Sequence, residues 1–322
     1  MTNKNPMANK NLTNAKKEKN DEFYTQLSDI EKELRHYKEH LKNKIVFCNC
    51  DDPEYSNFWS YFTLNFKHLE LKKLVATHYE TKKPSYKLEF DGNITIKTKL
   101  KQNGDFRSLE CIDILKESDI VVTNPPFSPF REYVAQLIEY NKKFIILGNV
   151  NAITYKETFK LIKENKIWLG QSIHSGDREF RVPDSYPLKA SGFRIDENGV
   201  KYIRVKGIRW FTNIDFNERH ENITLYKKYT PEEYPFYDNY NAINVNKVSE
   251  IPCTYDGVIG VPITFMDKYN PEQFEIIGID RYVEDNPHYG KRFTIKNRET
   301  YARILIKRKI NEKEVHVENN ED

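Results

Sequence analysis

No stretch of this sequence approaches the roughly 18 to 20 consecutive apolar residues that a bilayer-spanning helix needs, so no membrane role is implied. Residues 1–20 carry lysines with no apolar core behind them, which argues against a secretion signal and makes the cytoplasm the expected compartment. Cysteine is scarce. The four present (Cys48, Cys50, Cys111 and Cys253) have neither the paired spacing of a zinc knuckle nor the density of a disulfide framework, and are expected to be reduced and structural. The eight histidines fall in no metal-ligand spacing, so no metal is expected. Glycine is thin as well, and no Gly-x-Gly turn follows the first strand, where a nucleotide-like ligand is commonly cradled. Charge nearly cancels, with 51 Lys and Arg against 48 Asp and Glu. It is uneven, however: residues 281–311 hold nine Lys or Arg and three Asp or Glu, a surface that meets phosphates or a solvated strand edge dressed with lysine.

At 322 residues with 38% hydrophobic and 31% charged side chains, the chain describes a soluble globular protein of one large or two ordinary domains. Residues 1–20, rich in Asn and Lys and poor in large apolar side chains, read as a disordered tail. Apolar residues at steps of three and four from Leu27 to Leu41, with a Ser28/Glu31 capping box, predict a helix over 29–41. Strand-like runs at 44–48, 73–77, 119–123 and 143–149 alternate with helical patterns at 56–69 and 129–141, which reads as a parallel α/β sheet. Residues 86–100 alternate around Asp91-Gly92, a hairpin signal, and residues 192–212 read as a second hairpin turned at Glu197-Asn198-Gly199. Residues 174–183 are polar, mixed in charge and follow a strand-like run, and they read as a loop, either one over the active site or a plain connection. The last third is mixed and loop-rich. A catalytic domain over 21–212 and a partner-contacting region over 213–322 packed on it are therefore expected.

The stretch "DIVVTNPPF", residues 119–127, runs a buried strand into two prolines and an aromatic ring. In an open α/β sheet, ligands bind beyond the carboxyl ends of the strands, so Asn124, Pro125, Pro126 and Phe127 face the crevice. The prolines fix the turn and leave main-chain carbonyls without strand partners, while Asn124 adds a side-chain acceptor and Phe127 a flat apolar face. Acceptors beside an aromatic plate suit a planar heterocycle with an exocyclic amino group, an adenine or a cytosine. The amino lone pair is delocalised into the ring, and acceptors on its N–H bonds favour the pyramidal form that releases it for methyl transfer from a sulfonium donor. A base buried in duplex DNA has to be flipped out and stacked, with Phe127 the candidate plate. Protein glutamine and RNA adenine offer similar amino groups, and a simple Pro-Pro strand end is the structural alternative.

A methyl donor needs its own pocket. In "IVFCNCDDPEYSNF", Asp52-Pro53 followed by Ser56-Asn57 keeps an acidic residue at the strand end and small residues at the helix start; a capped helix is the plain alternative. In "NGDFRSLE", Asp105 can accept from a donor amino group while Phe106 packs on its ring, and Phe23 and Tyr24 offer either a hydrophobic staple or a pocket wall.

These segments, "EFYTQLSDIEKEL", "CNCDDPEYSNFW", "GDFRS", "DIVVTNPPFSPFREYVAQLI" and "GQSIHSGDREFRVPD", together resemble the EcoRI-type adenine-specific DNA methyltransferases, the modification half of type II restriction-modification systems. The resemblance implies a Rossmann-like fold and S-adenosylmethionine-dependent methylation of the adenine 6-amino group. It further implies that Asn124, Pro125, Pro126 and Phe127 are catalytic, that Tyr24, Thr25, Asp51, Asp52, Asp105 and Phe106 line the donor site, and that target recognition lies in the C-terminal third. There Lys291, Arg292, Lys296, Arg298, Arg303, Lys307 and Arg308 are candidate contacts to phosphates of double-stranded DNA. A monomer is expected, with a cognate restriction endonuclease as a genetic partner only. Methylation of another planar amino or amide acceptor, and a DNA-binding relative without catalysis, are the alternatives.

Overall fold

Unbroken apolar runs become central strands because only a strand covered on both faces can use them. The structure, a computed structural model, describes residues 23–80, 84–184, 186, 192–283 and 289–309, and the tail expected over 1–20 lies outside them. The chain divides into two compact units. The first runs to Ala152 and resumes over Ile167–Asp215; the second comprises Ile153–Lys166 and the chain from Phe216 onward. The sequence reading had no counterpart to the excursion at 153–166.

In the first unit the chain begins with β1 (Tyr24–Thr25) and α1 (Leu27–Leu34), which continues through a 3-10 turn to a last α turn ending at Leu41. The cap expected at Ser28 is not used. Gln26 stands at the N-cap without a side-chain bond and its carbonyl accepts from Asp29 and Ile30, because β1 delivers the chain to the helix two residues earlier. There follow β2 (Ile45–Cys48), α2 (Asn57–Leu64), β3 (Lys73–Thr77), the hairpin β4 (Tyr86–Phe90) and β5 (Thr95–Lys99), α3 (Leu109–Glu117), β6 (Ile120–Thr123), α4 (Phe130–Glu139) and β7 (Lys143–Asn149). After the excursion come β8 (Trp168–Leu169), β9 (Asp177–Arg181), β10 (Arg194–Ile195), β11 (Lys201–Lys206) and β12 (Ile208–Thr212).

The main sheet has eight strands in the order β5-β4-β3-β2-β6-β7-β12-β8. Its middle, β3-β2-β6-β7, is parallel as the alternating pattern predicts, but β4 and β5 on one side and β12 and β8 on the other are antiparallel, so the sheet is mixed. Strand order reverses direction between β2 and β6, and the carboxyl ends of those two strands border the crevice that such a switch point opens.

A second sheet, β1-β9-β11-β10, is wholly antiparallel. The segment expected to be a loop at 174–183 therefore contains β9, paired on both edges. The hairpin at 192–212 is shorter than expected: β10 and β11 pair, but Gly207, at φ +70, ends β11 and sends β12 into the main sheet beside β7. Burial changes there from partial to complete across all five residues of β12.

The second unit holds α5 (Lys156–Lys163), which packs on β16, and the strands β13 (Phe236–Tyr237), β14 (Tyr240–Asn244), β15 (Ile259–Pro262), β16 (Phe274–Ile279), β17 (Thr294–Ile295), β18 (Arg298–Glu299) and β19 (Arg303–Arg308). Five of them form the sheet β13-β14-β15-β19-β16, and β17-β18 is a separate hairpin. Phe293, Tyr237, Ala242, Val283 and Leu305 make its apolar cluster. β19 lies inside this sheet, between β15 and β16, and is not the solvated edge that its basic residues suggested. Among the described residues, no helix is long and apolar enough to cross a membrane.

Candidate active site

All four residues of β6 are buried, and the strand lies between β2 and β7. The Thr123 hydroxyl donates to the carbonyl of Asn49, which ties the end of β6 to the turn after β2. Pro125 and Pro126 then end the ladder for want of N–H donors. Asn124 is only 5% exposed. Its Nδ2 donates to the Phe23 carbonyl, while its Oδ1 is buried and has no hydrogen-bond partner among the described residues. The Phe23 carbonyl can only accept, so it selects the amide orientation in which Nδ2 faces β1 and Oδ1 faces away. A buried acceptor left unmatched costs about 1 to 3 kcal/mol, a sign of a group kept for a ligand. Phe127 is half-buried and packs against Phe23, ring centroids 5.6 Å apart at 35°; Phe23 also meets Phe180 and Tyr186, each at 6.0 Å.

The turn after β2 is built without glycine. Cys50 adopts φ +79, a left-handed conformation that glycine usually supplies. Side chains hold it: Asn49 Oδ1 accepts from the Tyr133 hydroxyl, and the Ser56 hydroxyl donates to Asp51 Oδ2 at 3.1 Å while Ser56 Oγ accepts the Phe58 N–H as N-cap of α2. Asn57 Nδ2 donates to the Thr25 carbonyl at 2.7 Å. Ser56 and Asn57, standing where glycines would let a ligand approach, thus serve as cap and tether. Burial above all, with Asp51 adding, pushes the thiols of Cys48 and Cys50 well above their ordinary range, which keeps them protonated.

Asp52 takes the Tyr86 hydroxyl on Oδ1 at 2.6 Å and the Glu54 N–H at 3.0 Å. Burial first and this hydrogen bond second push the Tyr86 hydroxyl far up, so the proton stays on Tyr86 and Asp52 remains the acceptor. A cavity of about 240 Å³ is lined by Tyr24, Asp52, Tyr55, His78, Arg181 and the chain at 182–184. His78 also borders a more open hollow of about 530 Å³ beside the β4-β5 hairpin, with Tyr86, Lys97 and Lys99.

Of the six residues expected around the donor, Tyr24 and Asp52 line the smaller cavity. Thr25 and Asp51 are buried next to them in sequence, Thr25 with a hydroxyl that finds no partner among the described residues. Asp105 and Phe106 do not line it. The Asp105 carboxylate is gripped at 2.8 and 2.7 Å by Nε and Nη2 of Arg107, whose hydrogen bonds hold it below the usual carboxylate range, so both oxygens are already engaged. Phe106 is buried edge-on against Tyr133 at 5.1 Å. The sequence reading had Arg181 only inside the polar segment 174–183 and did not single it out, and it missed His78 and Tyr86; the three come from strands or strand ends far apart in the chain.

In the second unit the basic candidates separate by surroundings. Lys291, Lys296, Arg298 and Lys307 are exposed. Lys296 and Asn297 turn the β17-β18 hairpin at φ +50 and +61, their N–H groups held by the Asp238 carboxylate. Arg292 pairs with buried Asp280 at 3.2 Å. Arg303 is the correction: it is buried, and its Nε and Nη2 donate to Asn244 Oδ1 and Asn246 Oδ1 at 3.0 and 3.1 Å, because β19 is an interior strand. Arg308 donates to the Cys253 carbonyl.

The model of a protein family described as adenine-specific methyltransferase EcoRI matches residues 11–309. The chain is 51% identical to the type II methyltransferase M.EcoRI of Escherichia coli, over 94% of this chain and 97% of the relative. It is 42% identical to the type II methyltransferase M.MgeORF184P of Mycoplasma genitalium (82% and 84% covered) and 40% identical to the type II methyltransferase M.MpnI of Mycoplasma pneumoniae (92% and 98%). A solved structure of a putative RNA methyltransferase from Pyrococcus horikoshii aligns at TM-score 0.30 and 13% identity, covering 58% of this chain and 84% of that one, a likeness too distant to bear on the fold.

Proposed function

The chain belongs to the EcoRI family of adenine-specific methyltransferases, and from that premise we propose how its residues carry out site-specific methylation of adenine in duplex DNA. The observation that carries the reading is the buried, unmatched Oδ1 of Asn124 beside a rigid Pro-Pro turn at the crevice end of β6. Asn124 Oδ1 accepts one N–H of the adenine 6-amino group, and a main-chain carbonyl of the Asn124–Pro126 turn accepts the other. Together they hold the nitrogen pyramidal, with its lone pair directed away from the ring. Phe127, backed by Phe23, gives the flipped base a surface to stack on. Exclusion of water around Asn124 strengthens both hydrogen bonds. No strong base is required, because the amino proton becomes acidic only as the new N–C bond forms.

S-adenosylmethionine, when bound, supplies a methyl group activated by a positively charged sulfur. The residues present fit it: Tyr24 and Asp52 line a cavity in the same unit as Asn124, and the unmatched Thr25 hydroxyl is a further polar group available to a ligand. On the second unit, exposed Lys291, Lys296, Arg298 and Lys307 neutralise DNA phosphates, which positions the duplex without reading its sequence. The genetic counterpart of such an enzyme is a restriction endonuclease with the same site.

The experiment is transfer of labelled methyl from S-adenosylmethionine to mixed-sequence duplex DNA, followed by digestion to nucleosides. Label is expected in 6-methyladenine. Label in 4-methylcytosine, or in RNA and not in DNA, overturns the assignment of the acceptor.

A further inference from the structure

Arg181 ends β9, directly opposite Tyr24 of β1 on one side and Tyr202 of β11 on the other. Residues directly opposed across an antiparallel pair project from the same face, which places Arg181 and Tyr24 together on the 240 Å³ cavity. The guanidinium lies 5.3 Å from the centre of the Tyr55 ring. Such a contact steadies the cation and leaves its N–H edge free to donate.

Most arginines nearby are matched. Arg194 pairs with Glu179 at 2.6 Å, Arg107 with Asp105 at 2.7 Å, and Arg178 stands 3.9 Å from Asp29. Arg181 is half-buried and, among the described residues, its guanidinium has neither a hydrogen bond nor an ion pair. The same cavity holds an anion. Asp52 Oδ1 already accepts two hydrogen bonds, whereas Oδ2 has only His78 Nε2, at 3.7 Å. A cavity offering one unmatched cation and two carboxylates, the half-matched Asp52 inside and the exposed Asp184 at its edge, suits a ligand that carries both charges, an amino-acid zwitterion. A DNA phosphate would satisfy the cation alone and meet repulsion from Asp52.

Building on the donor site proposed above, we propose that Arg181 receives the carboxylate at the amino-acid end of S-adenosylmethionine, with Asp52 receiving its ammonium group. The guanidinium fork and a carboxylate match in a two-bond geometry that lysine cannot reproduce. Arg181 is thus a donor-binding residue supplied by the small antiparallel sheet, and it takes over part of the task that a glycine-rich turn performs elsewhere.

The test is calorimetric binding, without turnover, of S-adenosylhomocysteine and of its decarboxylated analogue, which keeps the amine and lacks only the carboxylate. Wild-type protein is expected to prefer S-adenosylhomocysteine on the order of tenfold to a hundredfold, the scale of a charge-assisted hydrogen-bonded pair. Arg181→Met is expected to erase that preference by weakening S-adenosylhomocysteine alone, and Arg181→Lys to restore part of it. Unchanged binding of the decarboxylated analogue shows in the same titration that the variant is folded. Equal wild-type affinity for the two ligands, or an Arg181→Met variant that keeps the preference, overturns the proposal. So does a loss confined to DNA affinity and its salt dependence, which makes Arg181 a phosphate contact. Failure of wild-type protein to bind S-adenosylhomocysteine at all removes the donor reading itself and is distinguishable from these.

Discussion

Replacing Asn124 by alanine separates what the side chain does for the fold from what it does for the reaction. In the unliganded protein the substitution removes a buried acceptor that nothing satisfies, which recovers about 1 to 3 kcal/mol of desolvation cost. Against this it loses one hydrogen bond, to the Phe23 carbonyl, worth about 1 kcal/mol net, and it leaves that carbonyl exposed to a small cavity, a loss of similar size. The two sides nearly cancel. The expected change in stability is within about 1.5 kcal/mol of zero, a shift in thermal midpoint of a few degrees at most. Removing an oriented group that acts on the developing charge costs far more in rate, about 10²- to 10³-fold. The assay is single-turnover methyl transfer to duplex DNA at saturating donor, with calorimetric unfolding of the same preparation. A variant that unfolds ten or more degrees earlier, or one that retains its rate, refutes the argument that the unmatched Oδ1 is held for substrate.

Phe127→Ala is expected to lower turnover roughly tenfold to a hundredfold, the scale of one base–aromatic stacking contact, while DNA affinity stays within about threefold; affinity lost with turnover intact would contradict base stacking on Phe127. Neutralising Lys291, Lys296, Arg298 or Lys307 is expected to reduce the slope of log affinity against log salt by about one per site. Arg303→Ala instead is expected to leave the slope unchanged and cost about 2 kcal/mol or more of stability, since its guanidinium is inside the sheet; the reverse outcome would return Arg303 to the DNA surface. Burial raises the Asp280 carboxyl from its ordinary value of 3.8 to about 6, against the lowering pull of Arg292. Well below the ordinary value of 3.8 both folded and unfolded states hold the proton and the group is neutral to stability. As the pH rises through about 4 to 6 only the unfolded chain ionises freely, so the folded state loses on the order of 2 to 3 kcal/mol. The stability difference between wild type and Asp280→Asn is expected to fall across that range in chemical denaturation, and a flat difference would show that Asp280 titrates normally.

The central strands were legible because residues 44–48, 73–77, 119–123 and 143–149 each contain an unbroken run of three or four apolar side chains, a pattern with few other uses in chains of this polarity. The edges were not. Residues 201–212 look like one continuous arm of a hairpin, and only the left-handed backbone at Gly207 decides that its two halves join different sheets. The turn at 124–127 that ends β6 was legible from the strand, the prolines and the ring in sequence. What fixes it was not: the Phe23 carbonyl that orients Asn124 lies 101 residues away and is a main-chain group that any residue would supply. Arg303 was misjudged for a similar reason, since charge composition records that a residue is basic and not whether its strand is central or peripheral.

The excursion at 153–166 makes the two units inseparable as cassettes. The polypeptide passes from the first unit to the second at 152/153, returns at 166/167 and leaves again at 215/216. A cut at 215/216 releases a C-terminal fragment without α5, baring the surface of β16 on which that helix packs, and leaves the helix stranded with its buried Phe159 and Ile162 uncovered. Exchange of the second unit between relatives by recombination at a single junction is therefore disfavoured; a viable graft has to carry two crossovers' worth of sequence together. During synthesis, too, the main sheet stays open at β7 until the segment bearing β8 and β12 has emerged, so the first unit completes only after α5, a helix of the second, has been made ahead of the rest of that unit.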